Sequence, residues 1–376
     1  MHKLKPSKHG SKVRYAVVGL GYIAQIAVLP AFAHARENSQ LTALVSGDPK
    51  KLKSLSRKYD VLNTYSYDEF GDCLDSGEID AVYIALPNDM HRAYVDSAAQ
   101  AGVHVLCEKP MAFDEVDCEA MTAATEEAHV KLMIAYRLHF ERGNLQAIDV
   151  VNSGKIGEPR IFTSVFSQQV NAGNSRLKKN IGGGALYDMG VYCINAARYL
   201  FKAEPEEVFA WNISGNDKRF TEVPEMTSGL LKFPENRIAS FTTSFGAADR
   251  SVFEVIGTKG VLKMDPAYDM VDDLKSEITI GGRTTKKVFK KRDQFASELA
   301  YFSDCVLNNS QPEPSGREGL ADVRIIRALL ESADRNRPVS MPAYSVRQRP
   351  DAKQEISKQA KNTPPDLVRA AAPGAD

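Results

Sequence analysis

Apolar and polar positions along the first 150 residues predict repeating strand and helix units. Residues 13–18 form a short β-branched run that predicts a strand, which enters Gly19-Leu20-Gly21-Tyr22-Ile23-Ala24 and then a helical pattern through His34. Strands are predicted at 41–45, 81–86, 104–107 and 131–135, with helices at 51–59, 91–101, 111–129 and 139–152 between and after them. Such βαβ repetition implies a parallel sheet, whose ligands sit at the carboxyl ends of the strands. After Gly154-Lys155-Ile156-Gly157 the period changes. Segments 160–168, 207–213, 228–233, 237–245, 251–256, 261–264 and 277–280 alternate in the β manner, which predicts a mainly antiparallel sheet. Helices are predicted at 295–308 and 319–333, and the stretch after Met341 has little apolar patterning.

One stretch interrupts the second sheet pattern. Residues 182–201, GGGALYDMGVYCINAARYLF, read as three glycines opening an amphipathic helix. On it Asp188, Tyr192 and Asn195 fall at i, i+4 and i+7, one polar stripe on one face. An acid, a phenol and an amide so aligned suggest a site. The plainer alternative is an acid favoured by the helix macrodipole beside an ordinary half-buried tyrosine.

Strand, glycine turn and helix in succession are the setting that a dinucleotide fingerprint requires. Gly19 suits the tight turn, Gly21 the close approach of a pyrophosphate, and Ala24 helix packing, with Tyr22 and Ile23 between them. The second strand ends in Ser46-Gly47-Asp48-Pro49-Lys50-Lys51. A hydroxyl at Ser46 with Lys51 close behind favours the 2′-phosphate of NADP, whereas Asp48 keeps NAD open. Two further strand ends carry chemistry: Leu86-Pro87-Asn88 with His91 one turn on, and Glu108-Lys109-Pro110. Tyr136 and Arg137 follow the next strand, where a role in a sugar pocket and a structural ion pair are equally open.

Composition narrows the function. The chain has 376 residues, with 48 Lys plus Arg against 48 Asp plus Glu, so it has neither a basic field for nucleic acid nor a polybasic membrane patch. Five scattered cysteines without paired spacing suggest free thiols in a reducing compartment and no metal site. No secretory pattern opens the sequence, and the longest apolar stretches fall far short of a membrane span; a soluble cytoplasmic protein is expected. All seven histidines lie at or before His139, so an acid–base group in the second half must be tyrosine, carboxylate or lysine.

The segments YAVVGLGYIAQIAVLPAF, ALVSGDPKK, DAVYIALPNDMH, AGVHVLCEKPMA, KLMIAYRLHF, GGGALYDMGVYCINAARYL and EGLADVRIIRALLESA together resemble the Gfo/Idh/MocA oxidoreductases over nearly the whole chain, and within them the glucose-fructose oxidoreductases. The resemblance implies an α/β plus α+β fold: a Rossmann doubly wound parallel sheet at 13–136 and a substrate and oligomerisation domain at 137–342 with a large, mainly antiparallel open sheet. A flexible N-terminus at 1–12 and a loose tail at 343–376 would flank them. It implies Lys109 beside nicotinamide and substrate, Asp188 as the carboxylate hydrogen-bonding the sugar, and Tyr192 as the acid–base group. Arg137, Leu86, Pro87, Asn88, His91 and Glu108 would complete the cofactor cradle, and Tyr136 would join Lys109, Asp188 and Tyr192 around the sugar. Tyr22 stands where the glucose-fructose branch carries a lysine.

The implied activity is hydride transfer between an aldose and NADP, with NAD as the alternative cofactor and a second sugar as a possible acceptor. A tyrosinate base near neutrality needs its pKa brought from about 10 to about 7, roughly 4 kcal/mol, for which a neighbouring Lys109 cation is suited. Two other functions remain open: a freely exchanging xylose-type or dihydrodiol dehydrogenase, and a non-catalytic NADP sensor or scaffold. A homodimer or homotetramer is expected through the second sheet.

Overall fold

A computed structural model describes residues 12–346, 349–360 and 365–374. The expectation of a flexible N-terminus falls, except for Lys12, outside the described residues. The first sheet contains β1 (Val13–Val18), β2 (Ser39–Val45), β3 (Asn63–Tyr65), β4 (Ala81–Ile84), β5 (His104–Cys107) and β6 (Leu132–Ile134). Its order is β3-β2-β1-β4-β5-β6, with every pair parallel. This is the doubly wound order whose reversal lies between β1 and β4, the place where ligands bind in such sheets. The strands are nearly unbroken in Val, Ile, Leu and Ala because helices cover both faces; all four residues of β4 are buried.

The second sheet comprises β7 (Pro159–Ser167), β8 (Glu207–Ile213), β9 (Met226–Phe233), β10 (Arg237–Ser244), β11 (Arg250–Gly257), β12 (Gly260–Met264), β13 (Leu274–Ile280), β14 (Arg283–Phe289) and β15 (Val339–Ser340). Its order is β14-β13-β12-β11-β7-β10-β9-β8-β15, antiparallel except where β10 runs parallel to β7. One face packs on the helices Val191–Phe201 and Gly316–Arg335, burying Phe162, Phe241 and Phe253. The sequence pattern does not show β14, because six of its seven residues are exposed and it carries charge where apolar alternation is absent, as suits an edge strand. Two predicted helices start later than their periodicity suggests. Capping side chains fix the starts: Asp114 accepts from the Asp117 N–H at 2.9 Å, and Glu141 from the Asn144 N–H at 2.8 Å.

Val191–Phe201 is rooted by Arg198, which is fully buried. Its guanidinium donates to Glu204 at 2.7 and 2.9 Å and to Asp322 of the long C-terminal helix at 2.5 Å. The helix that faces the first sheet is therefore fixed from behind by ion pairs, and removing one partner of such a buried set is costly.

The tail differs from the loose segment expected at 343–376. Its described residues lie against the body: Arg349 pairs with Glu204, Lys358 reaches Glu37 at 2.9 Å, and Val368 exchanges two hydrogen bonds with Gln25. Main-chain and single side-chain contacts anchor it, and these leave no periodic apolar pattern to read. No helix among the described residues is long and apolar enough to cross a membrane.

His104 opens β5, and its Nδ1 accepts the Lys131 N–H at 2.9 Å. Burial, and then the Lys131 charge, pull the imidazolium down to about 4, below the roughly 6.5 of an unfolded chain. The unfolded chain therefore takes up this proton first, so the contribution to stability is complete above pH ~6.5 and is lost as pH falls towards ~4. Urea unfolding should show about 2 kcal/mol less stability from this group at pH 5 than at pH 7. A His104→Asn variant should lose that part of the pH dependence; an unchanged slope would refute the assignment.

Candidate active site

A cleft of about 980 Å³ opens between the carboxyl ends of the first sheet and the start of the central helix. That volume is at the upper end for ligand pockets. Its wall includes Gly21, Tyr22, Ile23, Lys51, Leu86, Pro87, Asn88, Glu108, Lys109 and Arg137 from the first half of the chain, and Arg176, Asp188 and Tyr192 from the second.

The two glycines of the first turn do different things. Gly19 has φ +92°, and a Cβ there would lie 2.5 Å from the Ala85 carbonyl oxygen, so this position closes the turn against β4. At Gly21 a Cβ would meet nothing within 4 Å; the bare backbone faces the open cleft, as a cradle for a pyrophosphate requires. Ala24 is fully buried beneath it. Asn88 donates to the Gly182 carbonyl at 2.9 Å and so ties the end of β4 to the glycines that open the central helix.

Besides Gly19 and Ala24, four expected site residues do not line the cleft. His91 is fully buried, its ring held between the carbonyls of Leu86 at 2.9 Å and Met111 at 3.1 Å, where it braces two loops. Ser46 is buried, and its Oγ accepts the Asp48 N–H at 3.2 Å; Gly47 is backed by the Tyr67 ring. Tyr136 stacks on His139 at 5.4 Å behind the central helix, with its hydroxyl near Asp322. Position at or just after a strand end was the signal for all four, and such a position does not say which way a side chain turns or, at Gly47, what packs against the backbone.

Lys109, Asp188 and Tyr192 meet on one wall. The Lys109 Nζ donates to Asp188 Oδ1 and to the Asp188 carbonyl, both at 2.9 Å, and lies 4.9 Å from the centre of the Tyr192 ring. The Lys109–Pro110 peptide is cis. Arg176 donates from Nε to Asp188 Oδ2 at 2.7 Å. Burial opposes the charge on Asp188, but Lys109 and Arg176 outweigh it and hold the carboxyl well below the usual range. Burial likewise opposes the Lys109 charge, and Asp188, followed by Tyr192 and Glu108, more than offsets it, so the lysine is a stable cation. Burial raises the Glu108 carboxyl; it accepts from the Tyr83 hydroxyl at 2.9 Å behind Lys109.

Arg137 is buried. It donates to the Gln294 side chain and, at 2.6 Å, to the Tyr268 carbonyl, and its guanidinium sits 5.1 Å from the centre of the Tyr192 ring. Phe166 and Tyr268 pack around that ring at 5.5 and 5.9 Å. Tyr192 is thus flanked by two cations and two aromatic rings, an arrangement that attracts cations to its face and limits water around it.

The polar stripe does not extend to Asn195. Residues Leu186–Gly190 form a π-helical turn, which inserts an extra residue ahead of the α-helical part and shifts the register. Asp188 and Tyr192 face the cleft, whereas Asn195 is turned inward to Asp322 at 2.7 Å and Tyr199 at 2.9 Å. Arg176 is the site residue that the sequence pattern missed. It lies in a short 3₁₀ turn, Ser175–Leu177, initiated by the Asn174 side chain; the turn was readable, its partner 12 residues on was not.

The glycine geometry makes a paired prediction. Gly19→Ala should lower stability by about 1–3 kcal/mol through forced backbone strain. Gly21→Val should melt like the parent yet bind a nicotinamide dinucleotide at least about tenfold more weakly. Thermal melts and fluorescence titration with NADPH check both; normal binding by Gly21→Val would remove Gly21 from the cradle.

Residues 13–136 match the family model described as "Oxidoreductase family, NAD-binding Rossmann fold", and residues 144–263 match the GFO/IDH/MocA C-terminal domain. A D-xylose 1-dehydrogenase [NADP(+)] of Haloarcula marismortui is 32% identical over 330 residues, covering 86% of this chain and 91% of that protein. The aldose-aldose oxidoreductase of Caulobacter crescentus, solved with glycerol, superposes with a TM-score of 0.84 at 37% identity, covering 88% of this chain and all of that one. A 3-ketoreductase of Actinomadura kijaniata, solved with NADP and TDP-benzene, gives a TM-score of 0.79 at 28% identity over 85% of this chain and 98% of its own. With both halves of the fold matched in order and the cleft between them intact, this chain belongs to the Gfo/Idh/MocA family of oxidoreductases.

Proposed function

We propose that this NAD(P)-dependent sugar oxidoreductase uses NADP to oxidise an aldose and, with the cofactor kept in place, reduces a second sugar. The observation that carries this is the meeting of Lys109, Asp188 and Tyr192 on the wall of the same cleft that the bare backbone of Gly21 lines. The residues fit a dinucleotide: Gly21, Tyr22 and Ile23 would hold the pyrophosphate, and Lys51 a phosphate on the adenosine side. Asp48, the residue that would favour NAD, is engaged otherwise. It caps the Pro49–Tyr59 helix, accepting from the Lys50 N–H at 2.9 Å, and pairs with Arg369 at 2.7 Å.

When bound, the nicotinamide supplies the acceptor and donor of hydride. Tyr192 takes the hydroxyl proton of the aldose as the C–H bond breaks and returns a proton in the reverse reduction. Lys109 and Arg137 face the negative charge that develops there, and Lys109 also donates to the sugar oxygen. Asp188 acts as a positioning residue, because both of its oxygens are engaged by cations. A sensor or scaffold has no need of a lysine, carboxylate and tyrosine brought together in this way. A freely exchanging xylose-type dehydrogenase remains the second reading, supported by the Haloarcula relative.

The outer face of the second sheet is proposed to pair with a second copy of the chain. Ile161, Val165, Leu230 and Ile238 stand exposed on β7, β9 and β10, continued by Trp211 and Ile213 on β8. Apolar residues at alternate positions of neighbouring strands make a contiguous patch that monomers seldom leave bare.

Three experiments test these proposals. In desalted protein, bound nicotinamide absorbance should rise with an aldose and fall with a second sugar without added cofactor. Protein that emerges empty and turns over only with added NADP is the exchanging dehydrogenase instead. Tyr192→Phe should slow the chemical step about 10²–10⁴-fold while NADPH still binds, and near-normal turnover would end the tyrosine assignment. For assembly, light scattering should find a dimer or larger that Ile238→Lys dissociates; a monomeric parent chain would reject the sheet-face interface.

A further inference from the structure

The C-terminal residues 365–374, PDLVRAAAPG, cross the mouth of the cleft just described. Their course starts on the first domain, where the Lys58 Nζ donates to the Asp366 carbonyl at 2.9 Å. Next comes a clamp: the Gln25 side-chain amide donates to the Val368 carbonyl at 2.9 Å, and its oxygen accepts the Val368 N–H at 2.7 Å. Gln25 is only 1% exposed and follows the glycine turn directly. The same amide also donates to the Leu20 carbonyl at 2.9 Å, which holds it in the glycine turn, and its paired bonds to Val368 fix the register of that residue, because a buried amide oxygen left unpaired is costly.

Arg369 then pairs with Asp48 at the end of β2, and residues Ala370–Gly374 line the cleft itself. The segment finishes on the second domain, where the Asn171 N–H donates to the Pro373 carbonyl at 2.8 Å. It therefore joins the two domains over the opening. Its crossing part is AAAPG, small residues that leave depth beneath them.

We propose that residues 365–374 form a strap that closes the cleft over a bound dinucleotide and slows its release, with Arg369 adapting the adenosine end to a 2′-phosphate. The proposal rests on the cofactor assignment above. The charge argument is local. Asp48 would repel a phosphate brought to the end of β2, and Arg369 offsets that charge. Only the Arg369 Nε is hydrogen-bonded among the described residues, so its two terminal amino groups remain for phosphate oxygens. The pair is 58% and 25% exposed on its two sides and adds little to stability; its effect is on what the cleft accepts. A strap that must lift before the cofactor leaves is what an enzyme alternating between two sugars needs.

The test compares the full chain with one ending at Pro364 and with Arg369→Ala. Each is loaded with NADPH and chased with excess NADP while nicotinamide fluorescence is followed. Release from the shortened chain should be at least about tenfold faster, as for the loss of a pair of hydrogen bonds. Arg369→Ala should lower the NADP over NAD affinity ratio by several-fold, on the order of one charge-assisted contact. As an independent readout, trypsin cleavage after Arg369 in the full chain should slow when NADP is bound. Equal release rates and cleavage indifferent to NADP would overturn the strap alone. Tighter binding by the shortened chain would overturn it in favour of a tail that competes for the cleft. If the full chain takes up no dinucleotide, the cofactor assignment fails, and the strap with it.

Discussion

The site depends on one shared carboxylate. Asp188 stands between Lys109 from the first domain and Arg176 from the second, and each cation holds one of its oxygens. Desolvating three charges is expensive and is offset only when the geometry is close and hydrogen-bonded. Here one negative charge between two positive ones leaves the wall electropositive, and Arg137, held by neutral acceptors, adds to it. An electropositive, aromatic-lined wall around a tyrosine suits charge that appears on oxygen during proton transfer, because fixed charges need no reorganisation when the reaction occurs.

That carboxylate also fixes the relation between the two domains. Lys109 follows β5 at the carboxyl edge of the first sheet, whereas Asp188 sits in the π-helical turn before the Val191–Phe201 helix. Their bond, together with that from Asn88 to Gly182, joins the loops at one end of the cleft. Arg198 roots the same helix to the long C-terminal helix from behind. The tyrosine is held on a rigid element with ion pairs at both ends, which is how a reacting group keeps its orientation.

The cleft is also closed from outside by a part of the chain far away in sequence. Val368 on the buried amide of Gln25 and Pro373 on Asn171 bring the tail across both domains. Among the described residues, every backbone bond of this crossing is made to a side chain or to another segment, so it has none of the internal periodicity that marks a helix or strand.

Much of this was legible in the sequence for a physical reason: it follows from local periodicity and from residue types that few other arrangements need. The β-branched runs, Gly19 and Gly21 with their different steric demands, the change from helical to alternating period, and the distinctive pairing of Lys109 with the 182–201 stretch fixed the two-domain fold and the cleft wall. What only the tertiary structure decided was direction and partnership. His91, Ser46 and Tyr136 sat at or just after the right strand ends and turned elsewhere, and Gly47 was backed by Tyr67; a π-helical turn moved Asn195 off the stripe; Arg176 gained its meaning from Asp188; and the tail found Gln25 and Asp48 over 300 residues away. Side-chain direction and long-range pairing depend on neighbours that the fold brings together, and no local pattern encodes them.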